Sequence, residues 1–275
     1  MILVTTPNGK VGSEVVKQLQ AQGQDLRIGA HTVEKARAAF PGVEVVHFDF
    51  ANLESVKAAL EGVNTLYLAS PAEMLAASVN AAVDAAKQAG VTRVVRLSLA
   101  GVEYGNSPLR QVELHLEASG LEHTFLRPSW FMQNYSNQNA DGVRQGTLYE
   151  PAAEGKSAFI DTRDIAAVAV AALTQDGHNG KAYTLTGSQA LSRDEVAALF
   201  SSALGREVRY VPVGDEQLRQ GMAGAPQNLI ELLSAVYGDV RAGATATVTD
   251  EVQKVTGRAP IRFEQFVQDH LETWR

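Results

Sequence analysis

Short apolar runs and amphipathic helix patterns take turns along the first half of this chain, and no other feature of the sequence constrains the fold as much. Runs rich in Val, Ile, Leu and Phe occupy residues 2–4, 26–30, 43–50, 65–69, 93–97 and 123–126. Their length and β-branched content mark them as strands. Between them lie helical stripes, such as Val11, Val15 and Leu19, and an alanine-rich stretch after the strand-breaking Pro71. Gly23, Pro41-Gly42, Gly62, Gly90 and Gly120 fall where helices must end, and Asn52 stands where one can be capped. A helix joining two strands packs back onto their sheet as a right-handed crossover. The repeat therefore predicts parallel strands with helices on both faces.

The expected class is α/β: a Rossmann-type doubly wound parallel sheet with a smaller C-terminal α+β lobe. In that winding the strand order reverses beside the first strand, and a ligand is expected across the carboxyl ends of strands one and four. After Arg127-Pro128 the rhythm changes. Residues 129–146 are polar and aromatic, with Trp130, Phe131 and Tyr135 among asparagines, and read as irregular or partly helical. Residues 159–173 carry a strand end and an apolar helix, and 181–186 another strand. Ser192 and Glu195 form a capping box, 207–213 alternates as a strand, and helices complete the sequence. The expected division is a sheet domain over residues 1–187 and a smaller lobe over residues 188–275.

The first strand ends at Thr5-Thr6-Pro7-Asn8-Gly9 and a helix begins at once. Such a turn brings backbone N–H groups close to a diphosphate, and the helix N-terminus adds donors and partial positive charge. Gly9 and Gly12 have the spacing for close approach, while Thr6 stands where a leading glycine is usual. Thr6, Asn8, Gly9, Lys10, Val11 and Gly12 are thus candidates for dinucleotide binding. An NAD-preferring site holds an acid at the end of the second strand, about 20 residues past the glycines. Here Thr32 occupies that place, and His31 and Lys35 offer basic groups where a 2′-phosphate would lie. NADP(H) is therefore expected over NAD(H), unless His31 and Lys35 are only solvated helix-start residues. Asp49 and Phe50 end the third strand and either meet the adenine or, for Asp49, cap the next helix. Ala69, Ser70 and Pro71 end the fourth strand and are expected along the ribose and nicotinamide. The sheet domain is read as the NAD(P)-binding domain and the C-terminal lobe as the substrate-binding one.

Composition narrows the partners. The net charge of −7 opposes nucleic acid and anionic membranes, which attract basic surfaces. The sequence has no cysteine, which excludes disulfides, thiolate metal sites and thiol catalysis and fits a reducing compartment. Glu73, Asn80, Asp84 and Arg163 interrupt the alanine-rich segments before they reach membrane-spanning length. With no signal-peptide pattern before the first strand, the expectation is a cytoplasmic monomer or homodimer acting on a small molecule.

Catalytic signals are sparse. The 6 histidines form no metal-binding pattern, and there is no G-x-S-x-G nucleophile elbow. None of the 7 tyrosines has a lysine four residues later. Tyr104, followed at that distance by Pro108, is a candidate proton donor, and Ser98, closing strand five, a candidate hydroxyl at both coenzyme and substrate. For Ser98 the role of a strand-end hydrogen bonder is the favoured reading.

Three blocks carry a resemblance: residues 4–12 with Asp49-Phe50; Glu113, Leu116 and Ser119-Gly120; and Leu126-Arg127-Pro128-Ser129-Trp130-Phe131-Met132-Gln133-Asn134. Residues 159–166 and 256–260 add to it. Over nearly its whole length the chain resembles the NmrA-like atypical short-chain dehydrogenase/reductases, in character the NAD(P)H:quinone oxidoreductase and triphenylmethane reductase branch. The resemblance implies NAD(P)H over the glycine turn and a substrate pocket walled by Pro128, Trp130, Phe131 and Asn134, although Trp130 and Phe131 read equally as core packing under the C-terminal lobe. Leu109 stands where relatives place Lys or His, and Gly105 where a catalytic tyrosine would fall. The expected function is an NAD(P)H-dependent oxidoreductase passing hydride to a quinone, dye or iminium acceptor. A non-catalytic NAD(P)-binding sensor is the alternative from another class. A nucleotide-sugar epimerase or dehydratase would need the missing tyrosine.

Overall fold

The computed structural model describes residues 1–71 and 74–275, so that Glu73 lies outside the described residues. The strands are β1 Ile2–Thr5, β2 Leu26–Ala30, β3 Glu44–His47, β4 Thr65–Leu68, β5 Arg93–Leu97, β6 Glu122–Pro128, β7 Thr147–Glu150, β8 Lys181–Leu185 and β9 Arg209–Pro212. The helices are α1 Lys10–Ala21, α2 Val33–Ala39, α3 Leu53–Ala59, α4 Ala76–Gln88, α5 Pro108–Ser119 and α6 Ala140–Arg144. They continue as α7 Thr162–Thr174, α8 Arg193–Leu204, α9 Asp215–Gly221, α10 Gln227–Arg241, α11 Glu251–Thr256 and α12 Phe263–Asp269.

A 7-stranded sheet has the order β3-β2-β1-β4-β5-β6-β8. The pairs from β3 through β6 are parallel. Because β1 lies between β2 and β4, the chain winds outward in both directions from it, and the reversal falls where the sequence placed it. The resulting α/β, Rossmann-like sheet follows from the strand sequences themselves. Leu3, Val4, Ile28, Leu66, Leu68 and Val94 are all buried, as strands covered on both faces require. On α1, Val11, Val15 and Leu19 form the buried stripe, and Gln18 Nε2 donates to the Arg163 carbonyl of α7 (3.0 Å). Helix α7 is apolar almost all round and correspondingly buried. Asn52 caps α3 by accepting from Ser55 N (3.3 Å).

The chain divides into two compact units: Met1–Pro128 with Thr162–Thr184, and Ser129–Asp161 with Leu185–Arg275. The second takes in residues 129–161, which the sequence reading assigned to the sheet domain. The reason is aromatic: Tyr135 and Phe159 pack edge-on with Phe263, Tyr135 also meets Phe200, and Phe200 meets Trp274. Trp274 Nε1 donates to the Tyr135 carbonyl (2.8 Å), tying the C-terminal turn to that cluster. The parallel pair β7–β9 belongs to this unit as well, and β7 was not foreseen as a strand. The Ser192–Glu195 capping box forms as expected. Among the described residues no helix is long and apolar enough to cross a membrane, and no group of three His, Asp or Glu could hold a metal ion.

Candidate functional site: a cleft at the sheet's carboxyl edge

The site begins at the turn after β1. Thr6 lies at φ 50, in the left-handed region that a leading glycine would occupy without cost. A β-branched residue is strained there by about 1–3 kcal/mol. The turn keeps its geometry all the same: Gly9 N donates to the Thr6 carbonyl (3.0 Å). Gly12 is required by packing, since a Cβ at that position would come 2.2 Å from the Thr6 oxygen. Helix α1 has no side-chain cap and no acid in its first turn, which leaves the positive end of its dipole uncompensated. Burial pushes the Lys10 ammonium down to about 8. Val11 is a core residue rather than part of any open surface.

Beside this turn lies a cleft of about 310 Å³ in the first unit. Of the residues expected at the coenzyme, Thr6, Asn8, Gly9, His31, Lys35, Asp49, Phe50 and Pro71 line it, together with Pro7, Gly29, Ala30, Thr32, Phe48 and Met74. Lys10, Val11, Gly12, Ala69, Ser70 and Ser98 are not in the lining. The exits of β1, β2 and β3 thus converge, as the parallel winding demands. Gly29 had no role in the sequence reading. A Cβ there would come 2.9 Å from that of Phe48, so the glycine lets the ring close the cleft floor. A glycine inside a strand is the signal that could have found it. Asn52 caps α3, whereas the Asp49 Oδ1 accepts from Ala51 N (2.9 Å) in a local turn. The other Asp49 oxygen faces His31 Nε2 across 3.9 Å.

The β4 exit is held from both neighbouring strands. From β1, Thr5 Oγ1 accepts from Ala69 N (2.9 Å) and lies 2.8 Å from the Ala69 carbonyl. From β5, buried Arg96 donates to the Leu68 carbonyl (3.2 Å) and to Ser70 Oγ (3.0 Å). Burial pushes the Arg96 guanidinium down to about 10, and it remains charged at neutral pH. Ser98, also buried, receives its backbone position from a bond to the Leu126 carbonyl (2.7 Å). Nearby, Glu113 accepts from Arg127 Nη2 (2.8 Å) and Arg110 Nη1 (2.9 Å). Burial opposes the Glu113 charge, but Arg127, Ser98 and Arg110 outweigh it and hold the carboxyl below its ordinary range. The motif residues Glu113 and Arg127 therefore form a structural ion pair beside Ser98. Tyr104 lies 89% exposed on the turn after β5 and is not in the cleft lining. Pro128 ends β6 with its carbonyl accepting from Ala100 N (3.1 Å).

In the second unit, Phe131 bridges to Ile160 and Trp130 packs on Tyr237 with ring centroids 4.9 Å apart. Asn134 lies in the short turn that follows. Arg193, fully buried, lies over the Trp130 ring (5.3 Å) and the Phe159 ring (5.0 Å) and pairs with Glu150 (3.0 Å). Nothing in the sequence periodicity pointed to this buried pair, whose partners are 43 positions apart.

The comparisons with known proteins agree with this geometry. The NmrA-like family matches residues 1–266. The NAD(P)H azoreductase of Xenophilus azovorans is 38% identical over 281 residues, covering 98% of both sequences. The Citrobacter triphenylmethane reductase complexed with NADP(H) superposes with a TM-score of 0.83 at 27% identity, covering 98% of this chain and 99% of that one. The NADPH-dependent quinone oxidoreductase of Escherichia coli, complexed with NADPH, has a TM-score of 0.87 at 25% identity, covering 98% and 100%. Sequence, winding and cleft together place this chain in the NmrA-like family of proteins.

Proposed function

We propose that the chain is an NAD(P)H-dependent oxidoreductase that passes hydride to a flat, apolar acceptor of the quinone, dye or iminium type. The observation that supports this reading best is the cleft joining the β1 turn to His31, Lys35, Asp49 and Phe50. The residues fit a dinucleotide. The close contact at Gly12 brings the turn against α1, and the uncapped helix end suits a diphosphate. Thr6, Asn8, Gly9 and Lys10 would hold that diphosphate. Phe50, Pro71 and Met74 offer apolar walls to the adenine, and Asp49 an acceptor to its amino group. His31 and Lys35 favour a 2′-phosphate, hence NADP(H) over NAD(H), because no acid lines the described cleft at the β2 exit.

When bound, the coenzyme supplies the hydride. Arg96 and Thr5 position the β4 exit along it, and Ser98 stands at the end of β5. Pro128, Trp130, Phe131 and Asn134 are assigned to the acceptor. Transfer to a quinone, dye cation or iminium ion needs orientation more than a strong general acid, so the exposed Tyr104 has no required part. The similar proteins named as an azoreductase, a triphenylmethane reductase and a quinone oxidoreductase support a conjugated, largely apolar acceptor. The absence of cysteine suits a cytoplasmic enzyme, acting as a monomer or homodimer.

The test is anaerobic oxidation of NADPH and NADH with a panel of azo dyes, triphenylmethane dyes and quinones. Turnover with at least one class is expected, and Gly12→Ala is expected to abolish coenzyme binding. Tight coenzyme binding without turnover of any acceptor would replace this reading with that of a non-catalytic sensor.

A further inference from the structure

At the β2 exit the cleft presents an imidazole, where an arginine would give a permanent charge. Its described lining contains two basic side chains, His31 at the exit of β2 and Lys35 on α2. The His31 side chain is 77% exposed and has the Asp49 carboxylate 3.9 Å from Nε2. The His47 ring of β3 faces it at 5.9 Å. Titratable groups placed around His31 are thus Lys35 of α2, His47 of β3 and Asp49 beyond it. Of the side chains in proteins, the imidazole is the one whose charge changes around neutral pH. A protonated His31 offsets the Asp49 charge and presents a donor to a phosphate. A neutral His31 leaves Asp49 uncompensated beside the same position, which repels a dianion and leaves a ribose hydroxyl unaffected.

We propose that His31 makes the choice between NADP(H) and NAD(H) depend on pH, favouring the phosphorylated coenzyme when protonated and relaxing the preference when neutral. This rests on the reading of the cleft as a coenzyme site with its 2′-phosphate at His31 and Lys35. The direction follows from charge. Raising the pH removes one positive charge from the 2′-phosphate end and none from the end shared by both coenzymes through this residue. The phosphate's own second ionisation lies at about 6 and is largely complete through the window tested. Lys10, which burial pushes down to about 8, also titrates in this range. It belongs to the diphosphate turn common to both coenzymes, so it cancels from the ratio of their affinities.

The experiment measures NADPH and NADH dissociation constants by nicotinamide fluorescence between about pH 6.5 and 8.5 at constant ionic strength. The ratio favouring NADPH is expected to fall about two- to fivefold across that window, the scale of one exposed charge contact. His31→Ala is expected to show a low, flat ratio and His31→Arg a high, flat one, while Lys35→Ala lowers the ratio throughout and keeps the slope. NADPH preferred equally at every pH would overturn the inference and leave the coenzyme reading standing. A slope that persists in His31→Ala would overturn it too, by assigning the titration elsewhere. No preference for NADPH at any pH would overturn the 2′-phosphate reading itself, and the inference with it.

Discussion

Two arginines lie fully buried, one in each unit, and their surroundings treat the same charge in opposite ways. Arg96, in the sheet, donates to a carbonyl and a hydroxyl and, among the described residues, has no carboxylate within bonding distance. Burial therefore dominates and lowers its pKa. Arg193, at the start of α8, pairs with the buried Glu150, donates to Ser157 Oγ (2.8 Å) and is covered by two aromatic rings. Burial again works against the charge, but the surroundings, Tyr135 and Glu150 foremost, raise its pKa. The first arginine acts locally, holding a loop at the ligand edge of the sheet. The second organises a core, since Glu150 also accepts from Asn139 (3.2 Å) and Tyr237 (3.3 Å). A buried charge can thus serve as a brace at a site's margin or as the centre around which a small unit packs.

The contrast is sharpest if each arginine is replaced by methionine. Arg193→Met strands the Glu150 carboxylate and should cost about 3–5 kcal/mol in urea unfolding. The double variant Glu150→Leu/Arg193→Met should recover most of that loss, because both charges leave together. Arg96→Met loses two hydrogen bonds but also a poorly compensated charge, so its stability should stay within about 1 kcal/mol of the parent. Equal costs for the two single variants would break the comparison. The hydroxyl partners give a smaller version of the same test. Ser157→Ala, at a fully buried site, should cost about 1.5–3 kcal/mol, whereas Ser70→Ala, half-buried and open to water, should cost under about 1 kcal/mol.

Lys10 extends the comparison to a cation that titrates within reach. Its folded-state pKa of about 8 lies below the ordinary value of 10.5, so the folded form is disfavoured while the amine is charged. Stability should therefore gain a contribution as pH rises from about 8 towards 10.5, and Lys10→Met should lack it. Unfolding curves for both proteins across that range check the sign. An identical pH dependence in the variant would show that Lys10 is not the group responsible.

The sheet was legible because its signals are local. Apolar runs, helix stripes and stop residues such as Gly23, Gly90 and Gly120 each act within a few positions. The parallel winding follows from their alternation. The cleft was legible for a related reason: strand exits in such a sheet share one edge, so Thr6, His31 and Asp49 converge whatever the details. Gly29 escaped notice because its contact with Phe48 joins neighbouring strands, and Thr6 kept a glycine's conformation that its identity argued against. The second unit was hardest to read. Residues 129–161 carry no periodicity, and their place is set by aromatic partners as distant as Phe263 and Trp274.

By itself the sequence determined the strand order around β1, the helices that cover the sheet, and the basic character of the β2 exit. Each depends on residue spacing or on neighbouring strands. Only the tertiary structure decided that Gly12 serves packing on the Thr6 carbonyl, that Glu113 and Arg127 form an ion pair, and that Glu150 and Arg193 meet in a core. Those contacts join positions far apart in the chain. Nothing in local propensity encodes which distant charge a buried arginine will find.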